Sequence, residues 1–82
     1  MRHRCCGRIV ESRLLGIAPS RGEMPAIGFF AIVDPYAGHR HRYTLWAIPL
    51  GTSAPDAAAI VLRELDLATA QRVTKQKIKE LP

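Results

Sequence analysis

The longest run of apolar side chains spans Ala26 to Val33 and contains both phenylalanines of the chain. Eight residues is strand length rather than helix length, the run is rich in β-branched and aromatic residues, and prolines bound it on both sides. Because successive strand side chains point to opposite faces, Phe29 and Phe30 lie on opposite sides. The pattern therefore predicts a central strand that is apolar on both faces, and each face needs a cover.

One further strand is predicted before this one in the sequence, and one after it. Arg8 to Ile17 alternates imperfectly, which indicates an edge strand with a bulge near Leu14-Leu15. Asp34 to Gly38 has the proline and glycine of a reverse turn, so we expect the chain to fold back there. His41 to Leu50 then alternates as a third strand, which ends or lies at an edge because Pro49 cannot donate to a ladder.

A helix is predicted after the third strand. Gly51 to Asp56 carries the signals of a helix start, with Ser53 as the cap and Pro55 in the first turn. The apolar residues that follow have the i, i+3, i+4, i+7 spacing of a helix stripe: Ala58, Val61, Leu62 and Leu65. Beyond them, either this helix runs on through Lys79 or Asp66 caps a second helix from Leu67 onward.

The fold class that follows is α+β. We expect a three-stranded antiparallel sheet (a βββ meander), followed by one long or two short C-terminal helices packed on one sheet face. A helix-turn-helix interpretation of residues 62–81 is less favoured, because a third helix and a glycine in the turn are both missing. With 82 residues the chain forms a single domain over 1–82, with a flexible N-terminus over 1–7 and a thin core.

The balance of charge indicates an anionic partner. Twelve Lys and Arg against seven Asp and Glu give a net charge of +5 and a pI near 9.9. These cations form a patch only if the separate groups of them converge in space. The candidate contacts to nucleic acid or another partner are the cations Arg40, Arg42, Arg72, Lys75, Lys77 and Lys79 and the aromatic residues Tyr36, Tyr43 and Trp46.

The thiols and imidazoles give little support to a metal site. Cys5 and Cys6 are adjacent, so they cannot bridge to each other without strain, and a reducing, cytoplasmic location is the natural interpretation. No apolar run is long enough for a membrane span, and no secretion signal is present in the sequence. The only candidate zinc ligands match no known finger or ribbon spacing: His3, Cys5, Cys6, His39 and His41. We therefore assign no metal and no cofactor.

Catalysis is not indicated. The sequence has no nucleophile elbow, no paired carboxylates in an apolar setting and no glycine-rich phosphate loop. The leading hypothesis is a small basic, non-catalytic module that docks on nucleic acid or a nucleoprotein complex. The first alternative is a protein-interaction inhibitor of the kind used by phages and mobile elements (anti-CRISPR-like), which would act through an apolar sheet face or helix. The second alternative is a small zinc-binding domain.

The second face of the sheet bears on both leading hypotheses. If a helix covers the side of Phe29, the other side exposes Phe30, Ile32 and Trp46. Soluble monomers seldom leave a large apolar patch bare. We therefore expect this face to meet a protein target or a second copy of the chain, as in a homodimer.

Overall fold

The computed structural model describes residues 2–5, 8–33, 42–51 and 58–81, and the side chains within these ranges from Ser12 onward. Strands β2–β5 form a four-stranded antiparallel sheet in sequence order, and the short strand β1 pairs with the start of β2. The α+β class is confirmed, but the sheet has more strands than the three predicted. The elements are β1 (Arg2–Cys5), β2 (Arg8–Ala18), β3 (Ile27–Val33), β4 (Tyr43–Pro49), β5 (Ala59–Leu65) and α1 (Leu67–Glu80).

Strands β3 and β4 are the centre of the sheet, and their faces are as predicted. Phe30 lies opposite Trp46, and Ala31 lies opposite Leu45. Phe29 is 4% exposed and Leu45 is fully buried, on the side that the helix covers. The two strands are antiparallel, so the chain reverses between them, although the predicted turn over residues 34–38 lies outside the described residues.

Strand β2 has the predicted bulge. Its pairing with β3 shifts between Leu14 and Gly16, which leaves Leu15 as the extra residue. The first half of the strand, Arg8–Glu11, pairs with β1, and the second half pairs with β3. Residues 2–5, which the sequence assigned to a flexible start, form strand β1. The first half of β2 is therefore not an edge where it pairs with β1.

The predicted helix over residues 58–65 is wrong, because residues 59–65 form strand β5. The pairing of β4 with β5 shifts twice, between Tyr43 and Leu45 and again between Leu45 and Trp46. Each shift places an extra residue in β5, so Leu62 and Leu65, three apart, lie opposite Leu45 and Tyr43 on the same side, and Val61 and Leu65 pack against the core. A doubly bulged strand therefore reproduced the spacing of a helix stripe, and the proposed cap at Ser53 lies outside the described residues.

The single helix of the described ranges begins where the second of the two sequence alternatives placed it. Asp66 is its N-cap and accepts a hydrogen bond of 2.7 Å from the backbone N–H of Thr69. Since a strand precedes this helix directly, the helix-turn-helix interpretation is wrong. The helix ends after Glu80, where the Leu81 N–H donates to the carbonyl of Ile78.

Helix α1 covers one face of the sheet. Val73 and Ile78 pack against a cluster formed by Ala18, Phe29 and Leu45. The closest approach is at Gly16 of β2, where an added Cβ would lie 2.9 Å from Ile78 Cδ1 and 3.2 Å from Thr74 Cγ2. The missing side chain therefore lets the helix lie close to the sheet.

Candidate functional site

Helix α1 presents a row of cations on its solvent side. Arg72, Lys75 and Lys79 have i, i+3, i+7 spacing, which places them on one face of a helix, and all three are exposed. This face points away from Ala70 and Thr74, which are buried against the sheet. We call these three residues the basic row.

Lys77 does not belong to the basic row. It lies on a different side of α1, with its Nζ 3.9 Å from the Glu80 carboxylate. Gln76 also donates to Glu80, at 3.1 Å. The four helix cations proposed from the sequence therefore separate into three that lie together and one beside a carboxylate.

Arg42 joins the basic row through the pairing of β4 with β5. Tyr43 lies opposite Leu65, so the residues next to them, Arg42 and Asp66, come together at the start of α1. The pKa of Asp66 is lowered, chiefly by the Thr69 backbone N–H and then by the Thr69 side chain, with smaller contributions from the charges of Arg42 and Arg72. Two groups of cations that are far apart in the sequence therefore meet beside one carboxylate.

The proposed aromatic contacts are divided between two faces. Tyr43, the chain neighbour of Arg42, is half-buried and lies opposite Val33 and Leu65 on the helix side. Trp46 lies on the other side of the sheet. Of these two aromatic residues Tyr43 is the one on the side of the sheet that carries α1, whereas Tyr36 and Arg40 lie outside the described residues.

A second surface is the sheet face that α1 leaves uncovered. Four direct cross-strand partners run across it: Leu14, Phe30, Trp46 and Ile60. Beside them, Ile17 and Ile48 flank Gly28 in the next cross-strand row. We call these six apolar residues the open face. Ile32, also expected here, lies on the same side, between Ser12 and Thr44.

Gly28 shapes the middle of the open face. An added Cβ at this position would lie 2.7 Å from Phe30 Cε2 and 3.2 Å from Leu50 Cδ2. The Phe30 ring therefore lies over the glycine backbone and buries it, as aromatic residues do beside glycines in sheets. As a result the ring lies along the sheet next to Trp46.

A cavity of about 440 Å³ opens between the loop after β2 and the end of α1. It is lined mainly by apolar side chains such as Met24, Ile78 and Leu81, and Arg21 is its one charged lining residue. Among the described residues the cavity therefore offers apolar contact and one cation.

None of the five candidate metal ligands has a described side chain. The side chains of His3 and Cys5 on β1, and the whole of Cys6, His39 and His41, lie outside the described residues. Among the side chains that the structure does describe, no group of three or more His, Cys, Asp or Glu could hold a metal ion.

Within the described ranges, no helix has both the length and the apolar character needed to cross a membrane. No protein-family model matches this chain, and no curated protein or solved structure matches it either.

Proposed function

We propose that this chain is a non-catalytic module that binds nucleic acid through the basic row and Arg42. The observation that supports the proposal is the pairing of Tyr43 with Leu65, which places Arg42 beside Asp66 at the start of α1, where the charge of Arg72 also acts. A net charge of +5 then provides long-range attraction to a polyanion.

The dimensions of the basic row suit a phosphate backbone. Arg72 and Lys79 are seven residues apart, so the row is about 10 Å long. Phosphates along one strand advance about 3.4 Å each, so the row can contact roughly three of them. Arg42 and Arg72 add guanidinium groups, whose paired donors match phosphate oxygens.

The chemistry of this surface favours backbone contacts over base reading. Lys75 and Lys79 are flexible cations that neutralise phosphates without distinguishing sequences. Tyr43 is half-buried beside Arg42 and could stack on an unpaired base at the edge of the row. We therefore propose binding with little sequence preference, to DNA or RNA.

A salt titration tests this proposal. Four phosphate contacts, one for each cation of the row and Arg42, give a slope of roughly −3 to −4 in a plot of log affinity against log salt. Affinity for a labelled duplex and a labelled single strand, measured by fluorescence anisotropy, should fall about 100-fold between 50 and 200 mM salt. No binding to either at low salt would overturn the proposal.

A pair of matched variants locates the contact. Lys75→Ala with Lys79→Ala removes two charges from the basic row, and the slope should become shallower by about 2. Arg21→Ala with Lys77→Ala removes the same charge from positions off the row, so its slope should stay close to that of the parent chain. Equal losses in both double variants would show that only overall charge matters, and the basic row would not be the site.

A further inference from the structure

We propose that the open face is the surface on which a second copy of this chain packs, giving a symmetric dimer. The two sheets would lie face to face in the middle, with one α1 helix on each outer side. The dimer would bury Phe30 and Trp46 of both copies at its centre, where large aromatic residues contribute most to association.

The side chains of the open face fit an apolar partner. None of its six residues is charged, and three of them are widely exposed: Leu14 at 48%, Ile17 at 47% and Ile60 at 38%. These six residues can meet those of a second copy without burying an unpaired charge, which would oppose association. A sheet face also complements its own copy, because the inner faces of two stacked sheets interdigitate.

The exposed area is large enough for such a contact. The chain is a flat slab of 42 × 27 × 17 Å and exposes 6032 Å². A compact monomer of 9.1 kDa exposes about 4,900 Å², so the slab exposes roughly 1,100 Å² more. This surplus is spread over the whole chain, but a standard interface buries about 800 Å² on each partner, which one broad side of a slab 42 × 27 Å wide can supply.

Charge repulsion between two basic copies is weak in this arrangement. The basic row lies on α1, on the side of the sheet opposite the open face. Packed layers are about 10 Å apart, so the two helices of the dimer would be separated by three such spacings, about 30 Å. This distance is several times the Debye length of about 8 Å at physiological salt.

The edge formed by β5 is a poorer place for association than the face of the sheet. Strand β5 is the last strand in the sheet order, and its two register shifts interrupt the regular ladder that an added strand would need. Glu64 within it has a φ of 56°, a left-handed conformation that an extended strand cannot continue. The geometry therefore favours packing of faces over pairing through β5.

Sedimentation equilibrium of the intact chain tests the dimer. We expect a mass approaching twice 9.1 kDa as concentration rises, and a dimer constant that changes little between 50 and 500 mM salt. Trp46, the one tryptophan of the chain, should shift its emission to shorter wavelength over the same concentration range. A monomer mass up to about 200 μM would overturn the proposal and leave the open face to a different partner.

Charged substitutions identify the surface. Leu14→Glu with Ile17→Glu alters two exposed open-face residues and should weaken the dimer at least tenfold, with an unchanged circular dichroism spectrum. Met24→Glu is the control, because Met24 is also exposed, at 57%, but lies in the loop after β2. A dimer that survives the first variant, or that is lost in the control, would contradict the assignment. If the double variant unfolds, Ile60→Lys, a single change at the edge, applies the same test.

Discussion

Asp66 connects the end of the sheet, the start of α1 and the two arginines beside it. Its carboxylate accepts a hydrogen bond from the Thr69 N–H, and its pKa is lowered chiefly for that reason. When the pKa of a carboxyl is lower in the folded chain than in the unfolded chain, the carboxyl stabilises the fold at pH values above its unfolded pKa. This contribution is lost as the pH falls through the folded value.

We therefore expect Asp66→Ala to lower the urea midpoint at pH 7, and this deficit to shrink below about pH 4. At neutral pH the ionised carboxylate caps the helix and faces two arginines, and acid removes its charge. Urea unfolding followed by circular dichroism at several pH values would measure the change. A deficit that stays constant down to about pH 2 would contradict this role of the charge.

Asp66→Asn is the matched control. The amide oxygen can accept the same hydrogen bond, but the side chain does not titrate. The difference in urea midpoint between Asp66→Asn and Asp66→Ala should therefore be independent of pH. The capping contribution is in this way separated from the contribution of charge.

At the scale of single residues the sequence could not show which cations meet. It identified Asp66 as a possible cap, because that signal is local. The neighbours Arg42 and Arg72 are 30 positions apart, and their proximity depends on the pairing of Tyr43 with Leu65. Such a register is set by the packing of the whole sheet.

At the scale of elements, regular alternation was predictable and its interruption was not. Strands β3 and β4 alternate without a break, so their bounds and faces followed from the sequence. Strand β5 contains two extra residues, and its apolar side chains then fall three and four apart like those of a helix. Sequence periodicity cannot distinguish these two cases when the segment has only seven residues.

The contact of α1 with β2 gives a test of packing at this scale. Gly16→Val should destabilise the fold by about 2 kcal/mol, because its side chain would enter the space of Ile78 Cδ1 and Thr74 Cγ2. Ile78→Val removes that Cδ1 methyl and alone should cost about 1 kcal/mol. The double variant should be more stable than the sum of the two losses predicts, by about 0.5–1 kcal/mol.

Chemical denaturation of the parent chain, the two single variants and the double variant would measure this coupling. The control is Ile17→Val, a change on the open face at the next position, which should cost under about 0.5 kcal/mol in the monomer. Strict additivity of Gly16→Val and Ile78→Val would mean that the helix moves away from the sheet to accommodate the valine.

At the scale of the whole molecule, the sheet separates two surfaces with different chemistry. One side carries α1 with its exposed cations. The other side carries the six apolar residues of the open face. If copies join through the open face, the two basic rows point in opposite directions about 30 Å apart. A nucleic-acid duplex on one row would then leave the second row free.

The dimer should therefore bridge two nucleic-acid molecules. A duplex fixed to beads should capture a second, fluorescent duplex when the parent chain is added above its dimer constant. Leu14→Glu with Ile17→Glu should still bind the fixed duplex but capture far less of the second one. Lys75→Ala with Lys79→Ala should reduce both steps, because it weakens each phosphate contact.

These two variants separate the causes of any failure. Loss of bridging with retained binding would place the defect in the dimer, and joint loss would place it in the basic row. Bridging that persists in the open-face variant would mean that a single copy holds two duplexes. In that event cations off the basic row, such as Arg21 or Arg63, would have to form the second contact.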